Sequence, residues 1–264
     1  MKTGFIGGGN MAEAMIQGMT SQGMRNILVS EPKAERRRFL EETYGIEVTG
    51  SNIDVVSSCG VVVLAVKPQS MDTVLDEIGD NVTDNITVVS IAAGIPLAYL
   101  TSRLKTRKLV RVMPNTPALV QKGMTVLSLC ECFSDKDMAA VREIFMSIGE
   151  VMTLPEKYMD AVTAISGSGP AFVALFVEAM IEAGRKLGLN TDDARVLSVQ
   201  TLIGTAHLLD TGMTPSRLRE MVTSPGGTTA AGLGTFQEKG FTDIVYAAIE
   251  AAKNRSEELG KGRN

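Results

Sequence analysis

The chain opens with a short apolar run, residues 2–6, that breaks directly into Gly7-Gly8-Gly9-Asn10-Met11-Ala12 and then into a helix-patterned stretch, 11–22. A strand, a glycine turn of the form G-x-G-x-x-A and a helix in immediate succession constrain the fold more than any other feature. Gly7 permits the tight turn, Gly9 lets the backbone approach a pyrophosphate, and the small Ala12 lets helix and strand pack closely. Unsatisfied N–H groups at the helix start then face the phosphates. The unit predicts a parallel sheet that binds a dinucleotide at the ends of its strands.

The same alternation continues. Short Val/Ile-rich runs at 27–29, 61–66, 87–91, 109–113, 124–129 and 151–154 read as strands. Between them, 34–44, 71–78, 97–104 and 135–148 carry apolar residues at helical spacing. The run at 61–66 is apolar throughout, as strands buried on both faces are. After about residue 156 the strands stop, and 172–187, 192–209, 216–221, 230–238 and 243–259 all read as helices. Gly188 is a helix stop and Thr191 the candidate N-cap of the next helix. The expected fold is α/β plus all-α: a Rossmann-type dinucleotide-binding domain over 1–155 and an all-helical domain over 156–264. The helices at 170–187 and 194–209 are too apolar for one small domain to cover. A subunit interface is their expected destination, with tight packing inside the chain as the competing reading.

Composition narrows the function. The 264 residues are 44% hydrophobic and carry 26 Lys plus Arg against 30 Asp plus Glu, so the chain buries a core and has no basic footprint for nucleic acid. His207 is the one histidine, which excludes a His-cluster metal site, and no metal is expected. Three cysteines, Cys59, Cys130 and Cys132, are too few for a disulfide framework and read as reduced. No long uncharged apolar run predicts a membrane span, and the glycine-rich start lacks the core of a secretory signal. A soluble cytoplasmic protein is the expectation.

Six more segments carry chemistry. The second strand ends at Glu31, placed to accept hydrogen bonds from adenosine ribose hydroxyls and to repel a 2′-phosphate. Lys33, Arg36 and Arg37 follow within reach of such a phosphate, or form an ordinary solvated helix face, so the cofactor is NADH, NADPH or both. Ala65-Val66-Lys67-Pro68, Ser90-Ile91-Ala92-Ala93-Gly94 and Arg111-Val112-Met113-Pro114-Asn115-Thr116-Pro117 lie at successive strand ends and point to one cleft. Ser166-Gly167-Ser168-Gly169-Pro170 opens a long helix. Ser224-Pro225-Gly226-Gly227-Thr228-Thr229 opens another, joining hydroxyls and unpaired backbone N–H groups in a receptor suited to a carboxylate.

GFIGGGNMA, AVKPQ, SIAAG, RVMPNTPA, DAVTAISGSGPAF and LREMVTSPGGTTAAGL, in this order and over essentially the whole chain, resemble the pyrroline-5-carboxylate reductases. The resemblance implies NAD(P)H-dependent reduction of (S)-1-pyrroline-5-carboxylate to L-proline, the last step of proline biosynthesis. It also implies a helical domain intertwined in a homodimer, often built into a larger ring of dimers. It places cofactor contacts at Ile6, Gly7, Gly8, Gly9, Asn10 and Met11, at Glu31 and Asn52, at Ala65, Val66, Lys67 and Pro68, and at Ala92 and Ala93. Substrate contacts fall on Glu156, Thr228 and Thr229 with Ser224 nearby, Gly226 and Gly227 supply backbone N–H groups, and Thr229 is the catalytic candidate. Many relatives carry a small polar residue in place of Glu31, which speaks against strict use of NADPH. A β-hydroxyacid dehydrogenase would need a lysine on the first long helix, and residues 172–184 hold none. A non-catalytic dinucleotide sensor would not need the second, carboxylate-binding segment.

Overall fold

The structure, a computed structural model, describes residues 1–130, 133 and 135–261. Its first part alternates strand and helix: β1 (Thr3–Ile6), α1 (Asn10–Ser21), β2 (Ile27–Ser30), α2 (Ala34–Tyr44), β3 (Glu47–Thr49), α3 (Asn52–Ser58), β4 (Val61–Leu64), α4 (Met71–Ile78), β5 (Thr87–Ser90), α5 (Leu97–Arg103), β6 (Leu109–Met113), β7 (Gly123–Leu129), α6 (Asp135–Met146) and β8 (Gly149–Thr153). The strands form one sheet in the order β3-β2-β1-β4-β5-β6-β7-β8. Pairing is parallel except between β6 and β7, whose short connection lacks the crossover helix that a parallel pair requires. Strand order reverses at β1, and that switch point is where open α/β sheets bind ligands.

Successive side chains on each strand point to opposite faces, and each face has its own core. Phe5, Val29, Val63 and Val89 pack with Met15, Ile16, Leu40 and Phe145 from α1, α2 and α6. Ile6, Leu28, Val62, Leu64 and Val88 pack with Val55, Leu75 and Leu100 from α3, α4 and α5. The expected strand at 61–66 stops at Leu64, and β3 and α3 were not expected at all. Of the two, β3 is a three-residue edge strand without a buried side chain, and α3 is held by Ser51, whose Oγ accepts from Asp54 N at 3.2 Å.

The chain forms two compact units, one of Met1–Ser168 with the segment from Ala251 onward and the other of Gly169–Glu250. The sheet unit thus runs beyond residue 155. It takes in a 3-10 turn (Glu156–Tyr158), α7 (Met159–Val162) and a π turn (Thr163–Gly167), and Met159 and Val162 pack on Val126 of β7.

The other unit holds α8 (Gly169–Lys186), α9 (Thr191–Asp210), α10 (Pro215–Met221), α11 (Thr228–Glu238) and the first half of α12 (Phe241–Gly260). Asn190, not Thr191, caps α9, its Oδ1 accepting from Asp193 N at 2.9 Å. Gly188 stops α8 at φ +97° as expected. Among the described residues of this unit only Ala194 and Ser198 are buried. Phe172, Phe176, Leu202, Phe241 and Val245 line an open apolar groove of about 440 Å³, and Leu175 and Ile244 stand 64% and 62% exposed.

One stretch bears on the membrane expectation without overturning it, and one cysteine expectation is corrected. By length and composition the stretch Glu156–Lys186 is apolar enough to cross a membrane, although it is divided among the 3-10 turn, α7, the π turn and α8. Cys59 is a free thiol with its pKa pushed up by burial, but Cys130 is disulfide-bonded rather than reduced. Cys132 lies outside the described residues.

Candidate active site

The glycine turn is built as its residue types require. Gly7 sits at φ +98°, and a Cβ there would lie 2.8 Å from the carbonyl oxygen of Ala65. Gly8 is gripped on both sides of its peptide. Its N–H donates to Glu31 Oε2 at 3.0 Å, and its carbonyl accepts from Arg36 Nε at 2.7 Å. Gly9 caps α1 without any side-chain hydrogen bond, and the first helical bond runs from Glu13 N to Gly9 O. The amides of Asn10, Met11 and Ala12 therefore have no helical acceptor and carry the positive end of the helix dipole. Those amides, together with the Gly7 position that no larger residue fits, suit a dinucleotide pyrophosphate.

Gly9, Asn10 and Met11 share one cleft of about 560 Å³ with Ala65, Val66, Lys67, Pro68, Ala92 and Ala93. Met113, Pro114, Asn115, Thr116 and Gly167 line it as well. Asn115 fixes that wall: its Nδ2 donates to the Ser166 carbonyl and hydroxyl, both at 3.2 Å, and its Oδ1 accepts from Met124 N at 2.8 Å. Ile6, Gly7 and Gly8 precede the lining residues in the chain, and Glu31, bonded to Gly8 N, does not line the cleft either. Asn52 does not line it, because its Oδ1 accepts from Ser30 Oγ at 2.6 Å and its Nδ2 donates to Glu77 Oε2 at 2.7 Å.

Behind the turn lies a polar network that sequence reasoning missed. Arg36 pairs with Glu13 as well as with Gly8, and Tyr44 donates to Glu13 Oε1 at 2.8 Å. Burial and the neighbouring Glu13 carboxylate push the Tyr44 hydroxyl up to about 12. A second network was equally invisible. Arg111, 6% exposed on β6, donates to Glu156 Oε1 at 3.2 Å and to Asp160 Oδ1 at 3.5 Å. Glu156 Oε1 also accepts from Leu97 N at 2.7 Å, and Asp160 Oδ1 accepts from Ser256 Oγ on α12 at 2.7 Å. Glu156 thus caps α5 and neutralises a buried cation, leaving Oε2 without a partner among the described residues.

In the helical unit the Ser224–Thr229 segment takes the form an anion receptor needs. Gly226 turns the chain at φ +70°. Gly227, bonded through its N–H to Ser224 O at 3.0 Å, caps α11 without a side-chain hydrogen bond. A Cβ on Gly227 would meet Ser224 Oγ at 2.3 Å, so a larger residue there would displace the Ser224 hydroxyl. Ala231 N makes the first helical bond, to Gly227 O, which leaves the amides of Thr228 and Thr229 open. Thr228 is exposed and Thr229 half-buried, and neither hydroxyl has a partner among the described residues. His207 lies exposed on α9.

Comparison with known proteins agrees with these features. A family model described as pyrroline-5-carboxylate reductase dimerisation matches residues 156–259. One described as NADP oxidoreductase, coenzyme F420-dependent, matches residues 2–94. The chain is 42% identical to a pyrroline-5-carboxylate reductase of Pseudomonas aeruginosa over 97% of its length and 96% of the relative's. It is 39% identical to one of Synechocystis sp. over 99% of each. Among solved structures, a pyrroline-5-carboxylate reductase of Coxiella burnetii superposes with a TM-score of 0.91 at 33% identity, covering 98% of both chains. That of Plasmodium falciparum with NADP bound gives 0.89 at 32% identity over 99% of this chain and 98% of that one.

Proposed function

The chain belongs to the pyrroline-5-carboxylate reductase family, and from that premise we propose that it reduces (S)-1-pyrroline-5-carboxylate to L-proline with NADH or NADPH. The observation that carries the reading is the open start of α11, a carboxylate receptor that a dinucleotide-binding protein without a substrate would not need. The cleft at Gly9–Met11, Ala65–Pro68 and Ala92–Ala93 holds the cofactor. When bound, the reduced nicotinamide supplies the hydride.

All other demands fall on this chain. The amides of Thr228 and Thr229, with Gly226 and Gly227 shaping the turn and Ser224 beside it, hold the substrate carboxylate. The Thr229 hydroxyl accepts a hydrogen bond from the protonated ring nitrogen and so orients the imine carbon. A threonine hydroxyl is too weak an acid to drive the reaction by proton transfer, and none is needed there, because the C=N electron pair withdraws onto a nitrogen that already carries its proton. Positioning two reactants in this way supplies much of the acceleration. Glu156 balances the iminium charge through the oxygen that Arg111 and Leu97 leave unoccupied. Residues 156–264 serve substrate binding and dimerisation, and 1–155 serve the cofactor. The assembly is a homodimer in the cytoplasm, with a ring of dimers as the larger form.

Purified protein should oxidise NADH or NADPH only when pyrroline-5-carboxylate is present, with proline as the product. Thr229→Ala should lower kcat by about tenfold to a hundredfold, the range for a lost orienting contact, with the circular dichroism unchanged. No imine-dependent turnover despite tight dinucleotide binding would favour the sensor instead.

A further inference from the structure

We infer that this chain selects NADH over NADPH, and that Glu13 and Arg36 set the choice together with Glu31. The inference rests on the reductase reading, which either dinucleotide satisfies. Glu31 ends β2, where the adenosine ribose of a dinucleotide seated on the glycine turn lies. Its carboxylate accepts from Gly8 N and Lys33 N, both at 3.0 Å, which uses two of about four acceptor sites. The remaining sites can accept from ribose hydroxyls. A 2′-phosphate has no proton to offer them at neutral pH and bears the same charge.

Cations stand nearby, but the protein has engaged the two that are guanidinium groups. Arg37 Nη1 donates to the carbonyls of Glu31 at 2.6 Å and Pro32 at 2.9 Å. Arg36 spans Gly8 O and Glu13, with both side chains of the ion pair about three-quarters covered (24% and 23% exposed). To turn its fork onto a phosphate, Arg36 would have to loosen its bonds to the glycine turn and leave the covered Glu13 carboxylate with only the Tyr44 hydroxyl, which is costly. Lys33 is exposed and solvated, and a surface ammonium is a weak anchor. Glu13 is therefore a positioning residue: it touches no cofactor and acts by holding Arg36 against Gly8.

Calorimetric titration of the whole protein with NADH and with NADPH, in the absence of imine, tests this. The wild type should bind NADH at least about tenfold more tightly. Glu31→Ser should collapse that ratio, chiefly by weakening NADH. Glu13→Gln should tighten NADPH by about threefold to tenfold while NADH stays within about twofold, a change of ratio that mere loosening of the turn would not give. Should Glu31→Ser fail to fold, Glu31→Gln keeps the shape, loses the charge and reads the same ratio. NADPH bound as tightly as NADH by the wild type, or a ratio unmoved in the variants, overturns the inference and leaves the reductase reading standing. Failure of the folded wild type to bind either dinucleotide removes both.

Discussion

The sheet unit and the helical unit are both rich in apolar residues, yet they use them in opposite ways. In the sheet unit Phe5, Met15, Ile16 and Phe145 are shut away from solvent between strands and helices of the same chain. In the helical unit α8 and α12 display Phe172, Phe176, Phe241 and Ile244 on an open groove. Apolar content alone therefore does not tell where stability resides. The sheet unit closes its own core, whereas single helices are marginal in water and gain most of their stability from packing. A second copy packed on that face, in keeping with the dimerisation match over 156–259, would make the helical unit's stability depend on concentration while that of the sheet unit would not.

The largest test acts on the closed core. Phe145→Ala, at a fully buried position, should cost about 3–5 kcal/mol in urea unfolding. A loss under about 1 kcal/mol, the size of an ordinary surface change, would mean the sheet unit is not self-supporting in the way its packing indicates. Next comes the open face. Leu175→Asp puts a charge on the open apolar face and should weaken self-association by about 3 kcal/mol or more, read by sedimentation equilibrium. In that variant hydrogen exchange should quicken in α8 and α9 while β1 and β4 keep their protection. Equal quickening in the strands would erase the distinction between the units.

The smallest effect lies inside the sheet unit. The Tyr44 hydroxyl is pushed up to about 12 from 10.0, so the folded state holds its proton longer than the unfolded one. That contribution is complete below pH 10 and is lost as pH rises through about 12. Tyr44→Phe should flatten the fall of stability over that interval, and an unchanged slope would remove Tyr44 from the network behind Gly8.

What the sequence disclosed follows from how local each signal is. Strands β1, β2, β4, β5 and β6 announce themselves because both of their faces are buried and most of their positions are apolar. The edge strand β3 has only Val48 among polar neighbours, and nothing in Glu47-Val48-Thr49 separates it from a loop. The glycine turns were legible because backbone need fixes residue type: glycine alone suits φ +98° beside Ala65 O at Gly7, and glycine is favoured at φ +70° at Gly226. Pairs such as Glu13 with Arg36 and Arg111 with Glu156 join segments far apart in the chain. Their charges read as solvated surface until the sheet brings them together.

The link from Asp160 to Ser256 has a consequence for biosynthesis. The sheet unit is interrupted in the chain, and α12 returns to it at Ala251, where Ser256 meets Asp160 and Gly260 packs on Gly94. A nascent chain emerging from the ribosome can assemble the strands early. It cannot finish that unit until the whole of Gly169–Glu250 has been translated, with the apolar helices of that insert already outside the exit tunnel and unpaired.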